Sequence, residues 1–494
     1  MNGNNKSLLE IAIINSNKAA TEKNTAEKKE TGQFFTPTSI AKFMAKMSII
    51  NTRDIRILDP GAGTGILSAA LLDEIINNNC CSSVELVLFE NDKTIVPYLE
   101  ELMEKAKIIF SKNNTKFKYK IMNDDFILYY RDIFCEECTI DYFDIVISNP
   151  PYFKVPSKHE YSNILTNYIH GQPNVYFMFM IVCTKLLKEN GQLIFLTPRS
   201  YCSGLYFKKF RSFLLDNIDP IQFHLFKSRK KIFNSEKVIQ EIIILNGIKR
   251  GFSDIFTKIS SSSADPFIDY KEEFFRKKYI YLKKHNELLI RLPLNKEQEK
   301  IINTFDSWSN DISKMGIGIS TGPVVPFRCN GLLEEFVNDK SYPLFFMKHI
   351  KNGELNYPLS NTDLGIKKSK SSKNILIPAK NYLLVKRFSS SEQKRRIECC
   401  FFDKSNYNYS YIGIENHLNY LYKKTGDFSN DELYGLYVFL NSKTVDEYFR
   451  IVNGNTQVNA YDINLLPLPN KNVLISLGKE YLKIEETKRN PKFI

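Results

Sequence analysis

The stretch Ile57–Ile76, ILDPGAGTGILSAALLDEII, runs from an apolar segment into a glycine-rich turn and out into a second apolar segment. Ile55 to Leu58 reads as a buried strand, Asp59 as its terminal acid, Gly61, Gly63 and Gly65 as the turn, and Ile66 to Ile76 as a helix. Glycine lets the backbone turn tightly and approach a ligand where a side chain would clash. The unit suits a dinucleotide or related cofactor. A phosphate-gripping loop is not matched, because no Gly-Lys-Ser or Gly-Lys-Thr follows.

Outward from this unit the pattern repeats. Apolar runs bounded by turn residues fall at Val84 to Phe89, Phe143 to Ser148, Gln192 to Leu196 and Ile239 to Leu245, with helix-length segments between them. Upstream, Ile40, Phe43, Met44 and Met47 recur at helical spacing. Alternating strands and helices imply an α/β fold with an open, mostly parallel sheet and ligands at the carboxyl ends of its strands. Acids stand at two further strand ends: Glu90 after Val84 to Phe89, and Asp125, followed by Phe126, in NDDF. Glu90 suits a pair of ribose hydroxyls, or alone caps the next helix. Asp125 suits an adenine amine, with Phe126 beside the ring.

FDIVISNPPY, Phe143–Tyr152, sets Asn149, Pro150, Pro151 and Tyr152 just beyond a strand's last apolar residues. A residue before proline is held extended and consecutive prolines fix the backbone that follows, so the turn is stiff. Such a turn can hold an aromatic amine without a strong base. The Asn149 side-chain oxygen and the Pro150 carbonyl accept the two amine hydrogens, which favours a pyramidal nitrogen. Tyr152 is placed to stack on the ring, which a DNA duplex would have to release by flipping the nucleotide.

Bulk properties bound the rest. A chain of 494 residues exceeds what one core usually supports. Three parts are expected: a mobile arm or loose helix over residues 1–30, a catalytic domain over 31–255, and a second, α+β domain over 256–494, beginning near the Ser/Asp-rich stretch Ser260 to Asp265. The net charge of +13 suits a polyanion such as nucleic acid. No segment approaches the roughly 20 apolar residues of a membrane span, and Leu8 to Ile14 lacks the features of a signal peptide, so the expected location is cytoplasmic. The nine cysteines then read as reduced thiols, and Cys135 and Cys138 have no second pair to complete a metal site.

Taken together, the glycine loop, the three acids and the N-P-P-Y turn resemble the amino-group DNA methyltransferases that modify adenine N6 in type II restriction-modification systems. The order is the one in which a cofactor segment precedes the glycine loop, the catalytic tetrapeptide and a target-recognition domain. GQFFTP, Gly32–Pro37, is similar to that cofactor segment. The resemblance implies a Rossmann-like domain using S-adenosyl-L-methionine, held by Phe35, Thr36, Asp59, Gly61, Gly63, Glu90, Asp125 and Phe126. It implies Phe233, in KKIFNSEKVIQEIIIL, as the aromatic that sandwiches a flipped adenine, unless that ring belongs to the core. Lys230 and Lys231 beside it would meet phosphates. GIENHLNYLY, Gly413–Tyr422, and NGNTQVNAYDINLLPLP, Asn453–Pro469, resemble segments of the PstI and BsuBI group. Asn455 and Gln457 either read adenine edges or anchor the recognition domain.

The expected partner is double-stranded DNA, with a cognate restriction endonuclease on a separate chain, and the protein would act as a monomer. N-P-P-Y also serves enzymes that methylate RNA or protein glutamine, but the large basic C-terminal region and GQFFTP favour DNA. A non-catalytic specificity subunit would not need the acids and the tetrapeptide. Asp269 with Lys271 is too isolated a pair to make a fused nuclease.

Overall fold

The computed structural model describes residues 6–22, 36–134, 142–171, 173–227, 241–250, 255–263, 267–284, 287–336, 340–360, 362–389 and 392–489. The chain divides into two compact units, Met1–Leu294 and Asn295–Ile494.

The first unit is built on nine strands: β1 (Asp54–Asp59), β2 (Ser83–Phe89), β3 (Lys116–Met122), β4 (Phe143–Ser148), β5 (Leu187–Pro198), β6 (Ile218–Phe226), β7 (Ile242–Lys249), β8 (Phe256–Ser262) and β9 (Lys271–Arg276). Their order across the sheet is β3-β2-β1-β4-β5-β7-β6-β8-β9. From β3 to β5 all neighbours are parallel, whereas β7 runs antiparallel to both β5 and β6. Strand order reverses between β1 and β4, so a crevice opens at their carboxyl ends, where Asp59 and Asn149 lie.

The helices of this unit include α1 (Leu8–Glu22), α2 (Thr38–Lys46), α3 (Ile66–Asn78), α4 (Val96–Lys112), α5 (Phe126–Tyr129), α6 (Glu160–Ile164), α7 (Val175–Leu186) and α8 (Lys208–Asn217). Two apolar cores form, one holding α7 with Leu58, Val146 and Phe195, the other holding α1 to α4 with Ile57, Ile145 and Ile194. Successive residues of β1, β4 and β5 thus point into opposite cores, the signature of a sheet covered on both faces. In α7 nearly every side chain is buried, which fits its all-round apolar sequence VYFMFMIVCTKL.

Two expectations are corrected here. The stretch read as a mobile arm or loose helix carries α1, which is packed rather than loose, with Leu8, Leu9 and Ala12 buried. Asp73 in α3 accepts the Leu8 and Leu9 amides at 3.0 and 2.9 Å, so the cap comes from 65 residues away and leaves little local signal. The break expected at residue 255/256 falls inside the sheet, because Ser260 to Ser262 belong to β8 and are buried. Serine there is not linker chemistry. His224 of β6 pairs with the Ser260 and Ser262 hydroxyls at 2.9 and 3.0 Å, and burial pushes its pKa down to about 3, so the ring is neutral.

The second unit is α+β. One antiparallel sheet runs in the order Ile317–Thr321, Leu418–Lys423, Tyr382–Lys386, Cys399–Phe402. A second, of five short strands, includes Ser341–Phe345 and Tyr411–Ile414. Helices Asn430–Leu440, Lys443–Val452 and Lys471–Arg489 follow. Among the described residues of the chain, no helix is long and apolar enough to cross a membrane.

Candidate active site

The glycine turn is tied to the end of β2 by two backbone donors: the Ala62 amide reaches the Phe89 carbonyl at 2.9 Å, and the Gly63 amide reaches Glu90 Oε2 at 2.9 Å. Gly63 has φ +55°, in the left-handed region, and a Cβ there would meet no atom within 4 Å. Gly65 is left-handed as well, and its missing side chain lets the turn close on Leu99 and Leu102 of α4.

Asp59 is fully buried. Its Oδ2 accepts from Ser68 Oγ at 2.6 Å, while Oδ1 has no hydrogen-bond partner among the described residues. Burial drives its pKa up to about 7, against the lowering by Ser68 and the Gly61 amide, and the Glu90 charge adds to the rise. Glu90 is also buried, and its Oε1 accepts the Asp92 amide at 2.8 Å. An unpartnered buried acceptor beside an open, side-chain-free turn is what a polar ligand would complete. Asp59, Gly61, Gly63 and Glu90 thus form one cradle open to a polar ligand.

Asp125 stands at the start of α5, where its Oδ1 accepts the Leu128 amide at 3.0 Å as an N-cap. Its Oδ2 accepts from the Tyr161 hydroxyl, contributed by α6 beyond the N-P-P-Y turn. Phe126 is 3% exposed and packs on Phe89 and Phe179, with ring centroids 5.2 and 5.0 Å away. It is a wall of the core rather than an open stacking face.

Asn149 follows β4, and its carboxamide is held at both ends. Nδ2 donates to Thr36 Oγ1 at 3.1 Å, and Oδ1 accepts from the Tyr152 hydroxyl at 2.5 Å. The Leu196 carbonyl at the end of β5 is a second acceptor for that hydroxyl, at 2.8 Å. Burial raises the Tyr152 pKa well above the ordinary tyrosine value, so the phenol keeps its proton. Pro150 is buried and Pro151 partly so, which makes the turn rigid. The expected residues Thr36, Asn149 and Tyr152 therefore meet directly, from two distant parts of the chain.

Phe35, Lys230, Lys231 and Phe233 lie outside the described residues, as do Cys135 and Cys138. Asp269 accepts from Lys227 Nζ at 2.8 Å and from the Ser263 amide and hydroxyl at 2.7 Å, and so anchors a turn. Ser68 and Tyr161 were not foreseen. Ser68 could have been found as a lone hydroxyl inside the apolar run ILSAALL, one turn after the loop. Tyr161 leaves no local signal, being 36 residues from its partner.

The Eco57I restriction-modification methylase family matches residues 36–233, which span the cradle and the N-P-P-Y turn. The type II methyltransferase M.BsuBI of Bacillus subtilis is 35% identical over 92% of this chain and 90% of that protein. M.PstI of Providencia stuartii is 30% identical over 92% and 91%. The chain belongs to this family of type II methyltransferases. DNA methylation within a restriction-modification system is the activity of the family, with S-adenosylmethionine as the cofactor. A solved structure described as a putative class I S-adenosylmethionine-dependent methyltransferase from Listeria monocytogenes aligns at 17% identity over 53% of this chain and 75% of that one, with a TM-score of 0.39.

Proposed function

We propose that this member of the family methylates N6 of adenine, flipped out of double-stranded DNA, and so protects host DNA from a cognate restriction endonuclease carried on a separate chain. The reading makes the protein a cytoplasmic monomer, with residues 295–494 as its target-recognition part. The observation that carries it is the Asn149 carboxamide, clamped between Thr36 and Tyr152 at the switch point of the sheet, next to the Asp59–Glu90 cradle.

S-adenosylmethionine, when bound, supplies an electrophilic methyl group. Asp59, Gly61, Gly63 and Glu90 would hold its polar parts, and Phe35 and Thr36 its amino-acid end. Asp125 would accept from its adenine amine in exchange for Tyr161, with the edge of Phe126 behind the ring. At the target, Asn149 Oδ1 and the Pro150 carbonyl accept the two hydrogens of the adenine amine. That reduces conjugation of the nitrogen lone pair with the ring and aims it at the methyl group. Pro151 fixes the turn, Tyr152 and Phe233 enclose the base, and Lys230 and Lys231 take backbone phosphates.

Labelled S-adenosylmethionine offered to plasmid DNA, RNA and a protein extract tests the reading. Label recovered in DNA as N6-methyladenine supports it, and label confined to RNA or protein overturns it. Asn149→Ala should abolish transfer while leaving cofactor binding measurable by calorimetry.

A further inference from the structure

Asn453 to Asn459, in the second unit, has its backbone fixed from several directions. Arg396, a fully buried arginine, donates Nη1 to the Asn453 carbonyl at 3.2 Å and Nη2 to the Asn455 carbonyl, while its own amide is held by Asp446. The Ser389 amide reaches the Thr456 carbonyl at 3.1 Å, and the Val458 amide reaches the Arg387 carbonyl at 2.7 Å. Asn419 Nδ2 donates to the Val458 carbonyl at 2.8 Å. Anchoring is thus done by the Arg396 and Asn419 side chains and by the backbone of Arg387 and Ser389, all acting on the backbone of this segment.

The amides of Asn455 and Gln457 take no part in that anchoring. Neither makes a side-chain hydrogen bond among the described residues, and neither is among the buried unpartnered polar atoms, so both reach solvent. Gln457 forms an antiparallel bridge with Phe388. Residues paired in this way project side by side on one face. Phe388 is 37% exposed and has the His417 ring at its edge, 4.9 Å away. Directly before Arg396 in sequence, Lys394 and Arg395 are exposed and make no ion pair among the described residues.

We infer that Gln457 and Phe388 together read one A·T base pair in the major groove. The glutamine amide presents a donor and an acceptor that match adenine N7 and N6, and the ring beside it meets the C5 methyl of the paired thymine. A rigid backbone with an unpaired amide at its tip is suited to this, because little side-chain order must be gained on binding. Lys394 and Arg395 supply the sequence-independent phosphate contacts next to it. The inference rests on the DNA reading above.

The test begins with the site that the wild-type protein methylates in plasmid DNA, located by sequencing, and a set of duplexes each changed at one base pair. Gln457→Ala and the volume-conserving Gln457→Leu should lose roughly 5- to 150-fold discrimination at one A·T pair and none elsewhere. Replacing that pair's thymine by deoxyuridine, which lacks the methyl, should weaken the wild type and leave Phe388→Ala unaffected. Lys394→Ala with Arg395→Ala should weaken all duplexes alike and flatten the salt dependence. Unchanged preference in both Gln457 variants overturns the inference. So does an equal loss at every base pair accompanied by a lower melting temperature, which is the signature of a packing role. If the wild type labels no DNA, the earlier reading fails; if it labels DNA and the Gln457 variants discriminate as it does, this one fails alone.

Discussion

Asn149 Nδ2 donates to Thr36 Oγ1 across 3.1 Å, which joins the end of β4 to the residue that leads into α2. The bond decides which end of the carboxamide is left as the acceptor, the end that the proposed function gives to the target amine. Thr36→Val removes this partner of a partly buried donor, so methyl transfer should slow by roughly 5- to 100-fold. Thr36→Ser should restore most of the rate. Single-turnover kinetics at saturating cofactor and DNA reads the effect; a valine variant as fast as wild type would show that the amide needs no such support.

Tyr152 has two separable parts, a ring and a hydroxyl that reaches Asn149 Oδ1 at 2.5 Å. Tyr152→Phe keeps the ring and should lower the transfer rate about 2- to 10-fold, with DNA affinity unchanged. Tyr152→Leu should lose more in both. Equal rates for wild type and phenylalanine would leave the hydroxyl without a role in orienting the amide.

The buried carboxyl of Asp59 has a pKa of about 7, against an ordinary value of 3.8. The folded protein holds this proton more tightly than the unfolded chain does. Stability from this group is therefore full below pH 3.8, falls as pH rises, and is exhausted above about 7. Asp59→Asn, which keeps an acceptor for Ser68, escapes that loss. In denaturant titrations the difference between variant and wild type should grow through this window and plateau at a few kcal/mol, at about 1.4 kcal/mol per pH unit. Cofactor binding by the same variant should weaken. A difference independent of pH would mean that Asp59 is already ionised in the folded protein at acid pH.

Asp73 caps α1 from outside the helix, through the Leu8 and Leu9 amides. Asp73→Ala should cost about 1–2 kcal/mol of stability, the usual range for a lost cap. Removing residues 1–22 should cost more, because it also exposes apolar surface on α3 and α4. Urea unfolding of the full chain measures both. A truncated chain as stable as the intact one would return the segment to the status of an unattached arm.

The sequence alone determined the α/β architecture of the first unit and which polar residues stand at its strand ends, since both rest on local patterns. Apolar runs of strand length, a glycine turn that only small residues can make, and a proline-stiffened tetrapeptide are each contained within a few residues. They led to Asp59, Gly63, Glu90 and Asn149 before any contact was known. Only the tertiary structure decided how those residues are held. Thr36 orients Asn149 from 113 positions away, Tyr161 occupies Asp125 from 36, and Asp73 caps α1 from 65. The serines of β8 look like linker until His224 is set against them. A buried polar group is legible only through its partner, and these partners are brought together by the packing of the sheet, which no short stretch of sequence encodes.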